Sequence, residues 1–280
     1  MEHIAVITGG TGGMGLATAK ILGRGHRVII ADLDQQRLDA ATAELRSLGI
    51  DADSAVCDVT DRTSVDALFD QADTKGHVRV VVHTAGVSPQ MGDAQFIVRV
   101  NVVGTVNITR SFLHRADTGD ALVNVASIAG HMSPGFLQPR RAFAQALTDL
   151  DACERKLVKS TKLMPRSARP GVAYSLSKAF VLWYCREMAQ HFGAQGARIL
   201  SVSPGSFSTT MGRLEEKSGS GELVDYSALK RLGDPEEIAS VLAFAASQAP
   251  GYLTGTDILV DGGTRANLDM RSIIALAAGR

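Results

Sequence analysis

Short runs dense in apolar and β-branched residues recur along the chain. They are His3–Thr8, Arg27–Ala31, Ser54–Cys57, Val78–His83, Ala121–Ala126, Arg198–Val202 and Asp257–Val260. Each has the length of a strand, and several are apolar at nearly every position. Strands buried on both faces of a parallel sheet read that way. Longer segments with helical spacing separate them, as in Leu16–Gly23, Gln35–Leu48, Val65–Asp73 and Ala179–His191. This alternation predicts an α/β fold with a doubly wound, parallel, seven-stranded sheet. Seven strands and their helices use up most of the 280 residues, so one domain spanning 1–280 is expected, without a linker.

One segment breaks the alternation. From about His131 to Gly171 no strand pattern is found. Phe143, Leu147, Leu150, Leu157 and Met164, with Ala146 and Cys153 between them, form an apolar stripe that predicts one helix, roughly bracketed by Pro139 and Pro165. The segment carries eight Lys or Arg against three Asp or Glu, so a chain of zero formal charge hides a local excess of +5.

Composition narrows the function classes. Charged residues make up 21% and apolar residues 45%, which suits a globular protein with a large core. A neutral chain exerts no overall pull on nucleic acid or anionic membrane, so neither is an expected partner. No apolar run approaches the roughly 18–20 residues of a membrane-spanning helix. The start, MEHIAVITGG, lacks a basic region followed by an apolar one, so no secretory signal is expected. Cys57, Cys153 and Cys185 are odd in number and widely spaced, which argues against disulfides and a cysteine-rich metal site. A cytoplasmic protein without a metal is expected.

The first strand runs into Thr8-Gly9-Gly10-Thr11-Gly12-Gly13-Met14-Gly15, and a helix follows. Glycines here permit a tight turn and close backbone approach to a pyrophosphate, whose charge suits a helix N-terminus. Asp32 ends the second strand, 23 residues after Gly9, where a carboxylate can accept hydrogen bonds from an adenosine ribose. It would repel a 2′-phosphate. The glycine loop holds no Arg or Lys, and Leu33 follows Asp32, so NAD is expected over NADP. Arg27 and Arg37 read as solvated surface residues.

Tyr174 and Lys178 stand four residues apart at the opening of a helical segment, and so on one face. A phenol titrates near pH 10. A neighbouring ammonium stabilises the phenolate, giving a group able to exchange a proton with an alcohol or ketone oxygen. Ser127 follows the strand Ala121–Ala126 at the edge where α/β ligands sit. Asn101 lies in the helical pattern Val-Asn-Val-Val-Gly-Thr, where a buried amide needs partners.

Taken together, these motifs resemble the short-chain dehydrogenases/reductases, over almost the whole chain. The TGxxxGxG loop is Thr8 to Gly15, and Asp32 with Leu33 is the acidic strand end. Asp58 with Val59 looks like the adenine contact, and His83-Thr84-Ala85-Gly86 stands where Asn-Asn-Ala-Gly is usual. Pro204-Gly205 and Thr209 match the segment beside the nicotinamide, and Leu259 to Gly263 the last strand. The resemblance implies a Rossmann fold. It implies Tyr174 as general acid/base, Lys178 as its partner and ribose ligand, Ser127 as holder of the carbonyl, and Asn101 as support of a proton relay. It implies cofactor contacts at Gly9, Gly13, Met14, Gly15, Asp32, Leu33, Asp58, Val59, Ala85, Gly86, Tyr174, Lys178, Pro204, Gly205 and Thr209.

Two departures stand out. His83-Thr84 replaces the double Asn, so hydrogen bonding between the central strands must differ. Ser127 and Tyr174 are 47 residues apart, so the 131–171 segment is an insertion. With the short stretch between Gly86 and Asn101, it resembles the bacterial 3-alpha-hydroxysteroid dehydrogenase/carbonyl reductase subgroup. The insertion has three readings: a hairpin packed on its own domain, a subunit interface, or a basic surface (Arg140, Arg141, Arg155, Lys156, Lys159, Lys162) for an anionic group. A homodimer or homotetramer is expected, with the insertion favouring the dimer.

The substrate expectation is a bulky apolar ketone or secondary alcohol such as a hydroxysteroid. It rests on Pro89, Met91, Met132, Phe136, Phe207 and Met211 as cleft residues, with Phe207–Gly221 as a lid. A non-catalytic nucleotide-binding scaffold or sensor, and a reductase of a carrier-bound 3-ketoacyl group, are the alternatives.

Overall fold

The computed structural model describes residues 3–132, 138–209, 212, 222–269 and 272. Phe136, Met211 and most of the expected lid lie outside them. Seven parallel strands form one sheet: β1 (His3–Thr8), β2 (Arg27–Asp32), β3 (Ala52–Val56), β4 (His77–His83), β5 (Ala121–Val125), β6 (Arg198–Pro204) and β7 (Asp257–Val260). Their order is β3-β2-β1-β4-β5-β6-β7, so the chain winds outward from β1 in both directions. The expected doubly wound, seven-stranded Rossmann-like sheet is what the chain forms.

Period-two geometry sends alternate side chains to opposite faces. Ile4 and Val6 enter one core, Ala5 and Ile7 the other, and all four are fully buried. On one face lie α1 (Gly13–Leu22), α2 (Gln35–Ser47) and a later helix, Pro235–Ala246. On the other lie α3 (Arg62–Asp73), α4 (Ala94–Val98), α5 (Gly104–Leu113), α6 (Arg140–Phe143), α7 (Leu150–Thr161) and the 26-residue α8 (Arg169–Ala194). Asp34 and Asp61 cap α2 and α3 by accepting from Arg37 N–H (3.1 Å) and Thr63 N–H (2.9 Å).

One polar row crosses this apolar sheet. Thr8, His83, Asn124, Ser201 and Asp257 are register partners on successive strands. Thr8 Oγ1 and His83 Nδ1 share a hydrogen bond at 2.7 Å, and Ser201 donates to Asp257 at 2.6 Å. His131 Nε2 covers Asp257 at 2.9 Å.

The insertion is not the single expected helix. It comprises α6, a 3₁₀ turn at Ala144–Leu147, and α7. The break falls at Asp149, whose extended backbone lets its carboxylate cap α7 by accepting from Ala152 N–H at 2.8 Å. Phe143, Ala146, Cys153 and Leu157 are buried, whereas Leu147 and Met164 are exposed. Phe143 meets Phe180 of α8 edge-on, with ring centroids 5.5 Å apart. Arg27 also departs from expectation: it is no solvated residue but pairs with Asp53 at 2.7 Å.

Candidate active site

The proposed site residues lie at strand ends, on the turns that follow them, or on helices packed beside those turns. In the β1–α1 turn, Gly9 has φ +65°, and a Cβ there would stand 2.8 Å from Ala85 N. A Cβ on Gly15 would collide with the Gly9 carbonyl oxygen at 2.4 Å. These glycines therefore let the β1 and β4 turns touch. Gly12 precedes α1 without a side-chain cap, which leaves the first-turn N–H groups, Gly13 and Met14 among them, open to an anion. Thr209 lies across from Gly13: a Cβ on that glycine would stand 3.2 Å from the Thr209 methyl.

Asp32 ends β2 with its carboxylate turned back toward this loop. One oxygen accepts from Leu33 N–H at 2.8 Å, and the other accepts from the Thr11 hydroxyl. After β3, Asp58 accepts from Thr60 N–H at 2.8 Å, and the Val59 carbonyl accepts from Asn107 at 3.0 Å. Pro204 ends β6, and Gly205 N–H donates to Val260 at 2.8 Å.

Tyr174 and Lys178 sit one turn apart on α8, with the ammonium 5.8 Å from the phenol ring centroid. The helix starts five residues before Tyr174, so the pair lies within it rather than opening it. Lys178 Nζ donates to the Val125 carbonyl at 2.9 Å. Ser127 follows two residues later and heads a 3₁₀ turn, accepting from Ala129 N–H at 3.1 Å. Gly130 of that turn lies directly on the Lys178 backbone: a Cβ would come within 2.9 Å of it.

Asn101 occupies a π-helical turn, Arg99–Val103, between α4 and α5, not the regular helix that its pattern suggests. Single π-turns inside helices often mark functional positions. The side-chain Oδ1 of Asn101 accepts from Val87 N–H at 2.9 Å. Its amide donates to Val87 O at 3.0 Å and to Ser177 Oγ at 3.1 Å. A Cβ on Gly86 would lie 3.2 Å from Asn101 Oδ1 and 3.5 Å from Lys178 Nζ. Asn101 and Lys178 therefore both close against Gly86.

His83 is fully buried, and burial, aided by the Lys178 charge, pushes its imidazole down to about 3. Burial raises the three thiols, Cys57 to about 11 and Cys153 and Cys185 to about 12, so none is a ready nucleophile. No cluster of three His, Cys, Asp or Glu able to hold a metal occurs among the described residues. There, too, no helix is long and apolar enough to cross a membrane.

Comparison with known proteins bears on the family and the fold. Residues 3–139 match the family model "short chain dehydrogenase", and residues 142–265 match "Enoyl-(Acyl carrier protein) reductase". The short-chain dehydrogenase/reductase bsc3 of Alternaria brassicicola is 31% identical, over 96% of this chain and 98% of that protein. This chain belongs to the short-chain dehydrogenase/reductase family. A 3beta-hydroxysteroid dehydrogenase of Eggerthella lenta is 28% identical over 94% of each chain. The crystal structure of gox2181 superimposes with a TM-score of 0.74, at 27% identity, over 95% of this chain and 96% of that one. As a short-chain dehydrogenase/reductase, the protein is an oxidoreductase that takes a nicotinamide cofactor, NAD or NADP.

The residues present fit such a cofactor. The uncapped start of α1, the glycine turn beside it and the Asp32 carboxylate at the β2 end provide sites for pyrophosphate and ribose in the right order. Two contributors escaped the sequence reading: Thr11 bonds Asp32, and Ser177 bonds Asn101. Thr84 Oγ1 donates to Thr8 O at 2.7 Å. Thr84 and His83 together join β4 to β1, and this is the altered hydrogen bonding expected where the double Asn is missing. Only Ser177 had a signal, its place between Tyr174 and Lys178. Of the expected cleft residues, Phe207 is buried against Gly233, while Met91 is exposed and Pro89 and Met132 are half-buried.

Proposed function

We propose that the protein is an NAD(H)-dependent oxidoreductase that interconverts a secondary alcohol and a ketone, with Tyr174 as general acid/base. The single observation that carries this reading is the Tyr174–Lys178 pair on one helix face, its ammonium fixed to the strand that leads to Ser127. A bound nicotinamide accepts or donates the hydride. The chain does the rest. Tyr174 takes the alcohol proton as the carbon loses hydride, and returns it in the reverse direction. Lys178 keeps positive charge beside the phenol ring and favours phenolate. Ser127 offers its hydroxyl to the substrate oxygen. Asn101 supports a proton relay through water from its place beside Gly86 and Lys178.

Asp32 supports NAD, because its carboxylate faces the ribose side of the loop and would repel a 2′-phosphate. The substrate is read as a bulky alicyclic secondary alcohol or ketone, a hydroxysteroid being the leading class. The hydroxysteroid dehydrogenase among the relatives and the half-buried Pro89 and Met132 support this reading. The complete set of Asn101, Ser127, Tyr174 and Lys178 favours an enzyme over a non-catalytic scaffold. A homo-oligomer, dimer or tetramer, completes the reading. Light scattering that shows a monomer would remove that part.

The test follows absorbance at 340 nm with NAD⁺ and a panel of secondary alcohols that includes 3-hydroxysteroids, beside Tyr174→Phe. Turnover that falls at least about 100-fold in the variant is expected. Equal turnover would overturn the role of Tyr174. A lower KM for NADPH than for NADH would overturn the cofactor, and activity confined to short polar ketones would overturn the substrate class.

A further inference from the structure

The insertion holds the helix that carries Asn101 at two points, one at the first residue of the π-turn and one beyond it on α5. Before Asn101, Arg99 reaches α7 and pairs with Glu154 at 3.4 Å. After it, Arg110 on α5 donates to the carbonyls of Ala146 (2.6 Å) and Leu147 (3.3 Å), just ahead of α7. Between these grips the chain makes its wide turn, whose backbone ladder is poorer than that of an α-helix. Outside support is therefore needed to keep one phase of the turn, and a small rotation there would carry the Asn101 amide off Val87 and Ser177.

Glu154 is an unusual residue for a mere packing role. Its side chain is only 10% exposed, although Arg99 opposite is half in solvent. A buried carboxylate is a poor means of gaining stability, since an apolar residue of similar size serves as well or better; its best-attested use is to fix one arrangement. Cys153 and Leu157, on the same face of α7, are fully buried and already anchor the helix. The charge at Glu154 adds direction rather than packing.

We propose that Glu154 is a positioning residue for Asn101. Through Arg99 it sets the phase of the π-turn, and the insertion serves as a brace for the proton path. The proposal rests on the alcohol–ketone reading above for its kinetic consequence, though not for its structural one.

The test pairs kinetics with hydrogen exchange on the full-length protein. Glu154→Ala is expected to lower kcat about 10- to 100-fold, with KM for NAD⁺ within twofold of wild type. In the Asn101→Ala background the same change is expected to have no further effect, because the position that it governs is already empty. Glu154→Gln keeps the shape and separates loss of charge from loss of packing. If Glu154→Ala does not fold, Glu154→Gln carries both arms of the test. The Val87 amide, bonded to Asn101, is expected to exchange faster in either variant, while amides of the β1–α1 turn keep their rates.

An unchanged kcat, or a loss that multiplies with that of Asn101→Ala, overturns the proposal. So does an unchanged rate at Val87. If the wild type turns over no alcohol, the functional reading fails, and the exchange at Val87 alone still decides whether Glu154 braces the turn.

Discussion

Lys178 Nζ donates to the Val125 carbonyl at 2.9 Å, tying the helix of Tyr174 to the strand that delivers Ser127. The ammonium is thus fixed on two elements at once, and its distance from the phenol ring is set by the fold rather than by a flexible side chain. Lys178→Met is expected to lower kcat about 100-fold or more. The phenolate required by the proposed mechanism would lose its neighbouring positive charge, so the optimum for alcohol oxidation should move to higher pH. A pH–rate profile of wild type and variant checks both points. An unmoved profile would mean that the ammonium does not tune the phenol.

Asp32 should govern the choice of cofactor. Asp32→Ala removes the acceptor expected for the ribose hydroxyls and the charge that opposes a 2′-phosphate. The KM for NAD⁺ is expected to rise about 10-fold or more, by analogy with loss of a charge-assisted hydrogen bond. Use of NADP⁺ should improve at the same time. The ratio of kcat/KM for the two cofactors is the measurement, and an unchanged ratio would count against the assignment.

His83 makes the acid stability of the protein steeper. Folded, its imidazole stays neutral down to about pH 3; unfolded, it takes a proton near 6.5. Between these values the unfolded chain binds more protons, so stability is full above about 6.5 and falls as pH drops toward 3. His83→Asn removes this contribution. Thermal midpoints measured from pH 7 to pH 4 should fall less steeply in the variant, and parallel curves would show that His83 adds nothing to the slope.

Arg198 ties β6 to the end of the Pro235–Ala246 helix and the chain after it through carbonyls, with no carboxylate partner among the described residues. Its buried guanidinium donates to Ala245 O at 3.0 Å, Leu253 O at 3.1 Å and Ser247 O at 2.5 Å. Burial without a counter-charge pushes its proton affinity down. Arg198→Met would leave these carbonyls without their donor, at a cost of about 3 kcal/mol. Urea unfolding at pH 7 reads the loss directly, and a variant as stable as wild type would refute it.

The strands and most helices were legible because a parallel sheet forces apolar residues onto both faces. The ends of β1 and β7 coincide with the sequence reading, and Gly9 and Asp32 lie at the strand ends where they were expected, whereas Tyr174 lies inside its helix and does not open it. What was hidden depended on contacts between distant residues. Asp149 divides the insertion because its carboxylate finds Ala152 N–H, a cap that a continuous apolar stripe conceals. The π-turn at Asn101 has no local signature, since Val-Asn-Val-Val reads as ordinary helix until Val87 and Ser177 claim the amide. Phe207 read as a cleft residue because nothing in its neighbourhood reveals Gly233 beneath it.

The polar row through Thr8, His83, Asn124, Ser201 and Asp257 also serves as a level from which the strands can be measured. β1 and β4 stop at that level, whereas β6 and β7 run three residues past it. At about 3.3 Å per residue the sheet margin climbs about 10 Å from its centre to that side. Under the proposed function, the cofactor would have its adenine end on the low side, beside Asp32, and its reacting end against a riser built by Pro204 and Val260. Lengthening or shortening β6 would change the height of that riser, and with it the depth at which a ring system can stand beside Tyr174, without touching any residue that handles the proton.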